Sequence, residues 1–147
     1  MKKILVIEDD DLIRETVLEV LEWHGFEAIG AHNGQVGIKM AIAQIPDLIL
    51  SDVMMPKFNG FEVFAALRSH PRTASIPFIF MTGSEMAKAL DLKADGYLNK
   101  PCSVTEMLGA IANQLEKPIA IAQGRSKKQE PRRQIQSQQW FQQLMTS

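Results

Sequence analysis

Residues 46–56 read PDLILSDVMMP, a string with a proline at each end. Inside it, a short apolar run at residues 48–50 is followed by Ser51 and Asp52. Residues 48–50 are apolar at every position, which is typical of a strand buried on both faces of a parallel sheet. Two similar runs occur at residues 4–7 and 78–81. We therefore predict that these three runs form the central strands of one parallel sheet.

Amphipathic segments separate these runs from one another and from two weaker strand candidates, residues 27–31 and 97–98. Asp10 or Asp11 is placed to cap the first helix, and Gly25 follows that helix where a left-handed residue is favoured. Strands that alternate with helices predict an α/β domain, a (βα)₅ doubly wound five-stranded parallel sheet in a three-layer sandwich. Helices are predicted over residues 12–23, 34–44, 60–68, 85–93 and 104–115.

Composition limits the classes of protein to consider. A chain of 147 residues with 46% hydrophobic content is expected to form one ordinary globular domain. The net charge of −1 gives no strong field for nucleic acid or an anionic membrane. Residues 1–117 hold 11 basic and 16 acidic side chains (11 − 16 = −5), whereas residues 118–147 hold 5 and 1 (5 − 1 = +4). A mildly acidic body therefore carries a basic tail.

Cysteine content and hydropathy bear on the compartment. Cys102 is the only cysteine, which excludes an intramolecular disulfide and a cysteine cluster for zinc, and we interpret it as a small apolar filler. The apolar run at residues 4–7 is too short for a signal peptide, and no run is long enough to span a membrane. We therefore expect a soluble cytoplasmic protein.

Polar side chains cluster where the predicted strands end. They are Glu8, Asp9 and Asp10 after the first strand, Asp52 after the third, Thr82 at the end of the fourth and Lys100 after the fifth. Ligands of doubly wound domains bind at this edge of the sheet. Neighbouring carboxylates repel one another unless a cation neutralises them, and Mg²⁺ prefers oxygen ligands. One carboxylate is then able to attack a phosphoryl group, so the sequence predicts a phosphoryl acceptor site.

Four strings in this order, KILVIEDD at 3–10, PDLILSDVMMP at 46–56, FIFMTG at 78–83 and YLNKP at 97–101, carry a wider resemblance. The chain resembles, over residues 2–117, the receiver domain of bacterial two-component response regulators. The resemblance implies the flavodoxin-like receiver fold. It also implies that Asp52 is the phosphoacceptor, which takes a phosphoryl group from the phosphohistidine of a partner kinase or histidine phosphotransfer protein.

The resemblance further implies a magnesium site. Asp9 would bind Mg²⁺ directly and Glu8 would bind it through water. Asp52 and the backbone carbonyl of Met54 would complete the protein ligands.

A switch is implied by the same resemblance. Lys100 would form an ion pair with the acyl phosphate, and Thr82 would hydrogen-bond a phosphoryl oxygen. Tyr97 would change rotamer with the threonine, although a half-buried core aromatic without switching remains an open alternative. The bond between Lys100 and Pro101 is expected to be cis, which an X-Pro bond adopts at small cost.

One spacing departs from the family pattern, and one residue beside Asp52 bears on the lifetime of the phosphorylated form. Thr82 and Lys100 are 18 positions apart, a spacing about one helical turn shorter than is typical, and the deficit must fall around the helix predicted at 85–93. Dimerisation through the face that contains this helix is therefore in doubt. Met54, two positions past Asp52, is apolar and cannot orient an attacking water, which predicts slow self-dephosphorylation.

Residues 118–147 contain eight glutamines and two prolines, a composition that favours a flexible segment. Trp140, Phe141, Leu144 and Met145 fall on one arc of a helix over 132–145, which favours a short docking element as an alternative. Nucleic-acid binding by the five basic residues is a third, disfavoured option, because no reading motif accompanies them.

The sequence thus predicts a single-domain response regulator, a receiver over 1–117 with a tail over 118–147, that signals through protein contacts. It is a switch rather than an enzyme, although it assists its own phosphorylation and slow dephosphorylation. A phosphorylation-independent adaptor and a phosphorelay intermediate remain alternatives. A phosphohydrolase with an aspartyl nucleophile is disfavoured, because position 54 holds methionine where such an enzyme needs a second acid.

Overall fold

The computed structural model describes residues 1–83, 95–100 and 102–116. These residues form one sheet with helices on both faces. The strands are β1 (Lys3–Ile7), β2 (Glu27–Ala31), β3 (Leu48–Asp52), β4 (Phe78–Gly83) and β5 (Gly96–Lys100). The described helices are α1 (Asp11–Trp23), α2 (Gly34–Gln44), α3 (Gly60–Arg68) and α4 (Val104–Leu115).

All neighbouring strands pair in parallel, in the order β2-β1-β3-β4-β5. This order confirms the doubly wound parallel sheet and places the three apolar runs in its centre. Four strands, β1, β3, β4 and β5, are longer than predicted, because the backbone ladder continues past the apolar residues that mark a buried strand. Asp52 pairs with Met81 and Lys100 pairs with Gly83. Both residues are therefore the last of their strands, where we had expected them to follow the strands.

The helix boundaries agree with the sequence prediction to within one residue, and helix caps account for this agreement. Asp10 caps α1, because its Oδ1 accepts a hydrogen bond of 3.0 Å from the backbone N–H of Ile13. Asn59 and Ser103 open α3 and α4 with capping boxes. Gly25 follows α1 with φ +88°, the left-handed conformation predicted for it. The helix predicted at 85–93, Pro101 and the tail at 118–147 lie outside the described residues.

The core divides into two layers, one on each face of the sheet. Helices α1 and α4 pack on one face, where Cys102 is fully buried, as predicted for an apolar filler. Burial raises the pKa of the Cys102 thiol to about 12, so the thiol is protonated at neutral pH. Helices α2 and α3 pack on the other face around Phe78 and Phe80, whose rings lie 4.9 Å apart. The two layers fix the sheet and therefore the positions of the strand ends.

The loop after β3 contains a strained residue. Lys57 has φ +69° and is exposed, so its backbone takes a conformation that favours glycine while its side chain contributes no burial. We expect Lys57→Gly to raise the free energy of unfolding by about 0.5–1 kcal/mol, measured by urea denaturation. Lys39→Gly is the matched control, because Lys39 is exposed within α2 and glycine there is expected to lower that free energy by about 1 kcal/mol. Equal effects of the two substitutions would contradict the strain at Lys57.

Candidate functional site

Three carboxylates meet at the carboxyl edge of the sheet. Glu8 and Asp9 follow β1, and Asp52 ends the adjacent strand β3. One oxygen from each of these residues lies within 4.8 Å of the others. Glu8 is 1% exposed and Asp52 is 7% exposed, whereas Asp9 is open to solvent. The structure thus brings together the three acids that the sequence analysis selected for a metal site.

Lys100 extends from the edge strand β5 and contacts two of these acids. Its Nζ lies 2.8 Å from Oε1 of Glu8 and 3.4 Å from Oδ2 of Asp52. Strands β3 and β4 separate β5 from β1, so the side chain reaches across two strands. Burial disfavours the ammonium charge, but the negative charges of Asp52 and Glu8 outweigh it and raise the pKa of Lys100. Lys100 is therefore charged at neutral pH.

The surroundings of Glu8 shift its acidity. Burial is the main cause that raises its pKa, and the charge of Asp52 raises it further. Lys100 and the backbone N–H of Asp10 lower it, and the result is a pKa of about 7. One lysine therefore does not neutralise the acids around it, and the site favours either a proton on Glu8 or an additional cation.

Arg14 positions the acidic loop, a role that the sequence analysis missed. Its Nη1 donates a hydrogen bond of 2.8 Å to the backbone carbonyl of Glu8, and its Nη2 lies 2.6 Å from Oδ1 of Asp11. Basic side chains are disfavoured near helix N-termini by the helix dipole. Arg14 stands in the first turns of α1 against that preference, which is the signal that could have identified it.

The loop after β3 folds closely over Asp52. The Oδ1 of Asp52 accepts a hydrogen bond of 2.8 Å from the backbone N–H of Val53. Gly60 donates its backbone N–H to the carbonyl of Val53 at 2.9 Å, and a Cβ at residue 60 would overlap the carbonyl oxygen of Asp52. Glycine is therefore required where α3 begins. Met54 lies in this loop with its side chain 66% exposed.

Thr82 and Tyr97 lie on one face of the sheet, although their strands differ. Thr82 is 2% exposed and follows Phe80 by two positions in β4, so the two side chains point to the same face. Tyr97 is the register partner of Phe80, and the two rings stack with centroids 5.9 Å apart. This arrangement brings the two residues of the expected switch into one layer.

Asp95 fixes the start of β5, another role absent from the sequence analysis. Its Oδ2 accepts hydrogen bonds of 2.7 Å from Arg68 Nη2 and from the backbone N–H of Phe78. Its backbone carbonyl accepts a hydrogen bond of 2.6 Å from Gln114 Nε2. Helices on both faces and the neighbouring strand thus anchor the strand that carries Lys100. No local sequence pattern joins Arg68 to Asp95, since 27 positions separate them.

The donor set fits a hard divalent cation. Three carboxylates against one ammonium leave excess negative charge, two of the acids are buried, and carboxylate oxygens are the ligands that Mg²⁺ prefers. Glu8, Asp9 and Asp52 would hold such an ion.

Among the described residues, no helix combines the length and apolar character needed to cross a membrane.

Comparison with known proteins agrees with this geometry. The family model for the response regulator receiver domain matches residues 4–112. The DNA-binding dual master transcriptional regulator RpaA of Synechocystis is 38% identical over 127 residues, which cover 84% of this chain and 53% of that protein. The transcriptional regulatory protein CpxR of Escherichia coli is 41% identical over 115 residues, which cover 76% and 48%. The chain thus spans about half the length of these relatives.

Solved structures show the same fold. The chemotaxis protein CheY4 of Vibrio cholerae aligns with a TM-score of 0.72 at 28% identity, over 78% of this chain and 99% of that one. Three findings support the same assignment. They are the strand order β2-β1-β3-β4-β5, the acidic cluster at the carboxyl edge of the sheet and the family match over residues 4–112. The chain belongs to the response regulator receiver domain family, a family of signalling switches.

Proposed function

We propose that Asp52 accepts a phosphoryl group in a Mg²⁺-dependent reaction, from the phosphohistidine of a partner kinase or histidine phosphotransfer protein. The observation that carries this proposal is the placement of Asp52 within 3.4 Å of the Lys100 ammonium and beside Glu8 and Asp9. Residues 1–117 would act as the receiver domain, and residues 118–147 as a basic, glutamine-rich extension.

The transfer is a displacement at phosphorus. An oxygen of the Asp52 carboxylate forms the new P–O bond, the P–N bond to the donor imidazole breaks, and its electron pair leaves with the imidazole, which then takes up a proton. When bound, Mg²⁺ supplies positive charge that reduces repulsion between the acids and the incoming phosphoryl oxygens. Lys100 gains a phosphoryl oxygen as an additional partner, because its Nζ already lies beside Asp52.

The product would shift a population between two packings. Thr82 follows Met81, the register partner of Asp52, and this proximity at the end of β4 supports a role in which its hydroxyl would bond a phosphoryl oxygen. Tyr97 lies in the same layer and would follow the threonine. Phosphorylation would then bias the equilibrium and transmit the signal through protein contacts, without a new fold.

The first test is the intact mass of the protein after incubation with acetyl phosphate. With Mg²⁺ we expect a gain of one phosphoryl group, which is absent in Asp52→Asn and after chelation of the metal. Asp10→Asn is the matched control, because Asp10 is a neighbouring acid whose capping role asparagine preserves. No gain in a folded wild-type protein would favour a phosphorylation-independent adaptor.

The second test uses the acidity of Glu8. Its pKa is about 7 in the folded protein, above its ordinary value of 4.5, so the folded state binds more protons between these values. Without divalent cations, the free energy of unfolding is therefore expected to fall as the pH rises from about 5 to 8. Urea denaturation in a chelating buffer measures this slope, and saturating Mg²⁺ should remove most of it.

Two variants separate Glu8 from the other acids. Glu8→Gln should flatten the slope and raise the free energy of unfolding at pH 8 in chelating buffer. Glu62→Gln is the control, because Glu62 is an exposed capping residue that glutamine can replace. An unchanged slope in Glu8→Gln would show that other groups cause the pH dependence.

The third test concerns the lifetime of the phosphorylated form. Met54 exposes an apolar side chain two positions after Asp52, so it cannot orient water for attack on the acyl phosphate. We expect slow self-dephosphorylation of the wild-type protein. The rate should be about tenfold higher in Met54→Asn, because the amide can position a water. Met54→Leu keeps the site apolar and should match the wild type when loss of the phosphorylated mass is followed over time.

A further inference from the structure

The outward face of α1 is acidic and includes an exposed tryptophan. Glu15, Glu19 and Glu22 are all exposed, and spacings of four and three residues place them in one row. Trp23 ends the helix beside this row and is 70% exposed. We call these four residues the acidic face of α1. It lies opposite the helix residues that are buried against the sheet.

Trp23 is unusually open for its size. Tryptophan is highly buried on average, and its large ring leaves much apolar surface in water when it is exposed. Leu12, three helical turns earlier on the same line of α1, is also 60% exposed. An apolar side chain framed by carboxylates suits a partner that combines apolar and basic residues.

The chain leaves the described fold near this face. Gln114, at the end of α4, bonds the backbone of Asp95 next to the start of β5, so α4 ends at the amino edge of the sheet. Helix α1 ends at the same edge, because Glu27 shortly after it bonds the backbone of Lys2. Both helices pack on the same face of the sheet. Residues after 116 therefore begin on the side of the molecule where Trp23 lies.

The residues after α4 have the complementary chemistry. Residues 118–147 contain five basic side chains and one acidic side chain. Trp140, Phe141, Leu144 and Met145 are spaced to share one face of a helix. Arg132 and Arg133 precede them by about two turns. This segment thus provides apolar groups that complement Trp23 and positive groups that complement the three glutamates.

The connection is long enough for the two to meet. Leu115 and Trp140 are 25 positions apart, so the connection has a maximum reach of roughly 80 Å, whereas α1 is about 20 Å long. Tethering at this length gives an effective concentration of the order of millimolar, so even a weak contact is populated within one chain. The acidic face repels nucleic acid and anionic membranes, which disfavours them as occupants.

We propose that residues 132–147 dock in cis on the acidic face of α1. The four apolar residues would cover Trp23, and Arg132 and Arg133 would lie against Glu15 and Glu19. The docked segment would then cover one face of the helix that follows the Glu8 and Asp9 loop. This proposal does not depend on phosphorylation of Asp52, so each can fail without the other.

The two tryptophans of the chain allow a direct measurement. Trp140→Phe keeps an aromatic side chain in the tail and leaves Trp23 as the only tryptophan. In this full-length background we measure the emission maximum of Trp23 and its quenching by acrylamide. Adding Leu144→Ser and Met145→Ser should shift the emission to the red and raise the quenching constant about twofold, as expected when a contact that is roughly half populated is lost.

Matched variants test both kinds of contact. Gln142→Ser with Gln143→Ser changes the same part of the tail outside the apolar quartet and should leave both signals unchanged. Glu15→Lys with Glu19→Lys should expose Trp23 as fully as the apolar variant does. Adding Arg132→Glu and Arg133→Glu to that charge-reversed protein should restore protection, which simple damage to α1 would not allow.

Three results would overturn the proposal. One is equal quenching of Trp23 with and without the two serine substitutions. Another is protection that increases with protein concentration between ~1 and ~100 µM, because a second copy would then be the occupant. The last is charge reversal in the tail that fails to rescue charge reversal on α1. Circular dichroism of each variant confirms that the fold is retained, since all substituted positions in α1 are exposed.

Discussion

The ammonium of Lys100, between Glu8 and Asp52, is the contact on which the site depends. The three groups are largely buried, and a buried charge without a partner costs several kcal/mol. Without Lys100, two neighbouring carboxylates would repel each other in a low-dielectric environment, and the pKa of Glu8 would rise further. The same contact joins the edge strand β5 to β1 across two intervening strands. Lys100 therefore both balances the charge of the acids and ties the edge strand β5 to the centre of the sheet.

The reach of Lys100 also depends on the opposite end of its strand. Asp95 is held by Arg68 from α3, by Gln114 from α4 and by the backbone of β4. These bonds fix the register of β5, and a shift of one residue would turn Lys100 to the other face of the sheet. Polar contacts at the amino edge thus determine the charge arrangement at the carboxyl edge, about five residues away along the strand.

Local patterns in the sequence were sufficient for the fold but not for these contacts. Apolar runs marked the central strands, and caps such as Asp10 marked helix starts to within one residue. Strand ends were missed at Asp52 and Lys100, because a hydrogen-bonded ladder continues through polar residues that carry no burial signal. The pairing of Arg68 with Asp95 was missed, because tertiary packing alone brings distant elements together. The family strings selected the site residues, whereas their distances and the raised pKa of Glu8 required the folded chain.

Lys100 contacts both Glu8 and Asp52, so a change of charge at Asp52 would alter the position of Lys100. A phosphoryl group on Asp52 would add negative charge on one side of the ammonium and draw it away from Glu8, with which it makes the shorter contact of 2.8 Å. Lys100 is the last residue of β5, so this movement acts on the end of the strand. Tyr97 lies three residues earlier on the same strand and stacks on Phe80, within the core layer that α2 and α3 cover. The edge strand is thus the element that both the charged site and the aromatic layer contact, which makes it the structural link that the proposed switch requires.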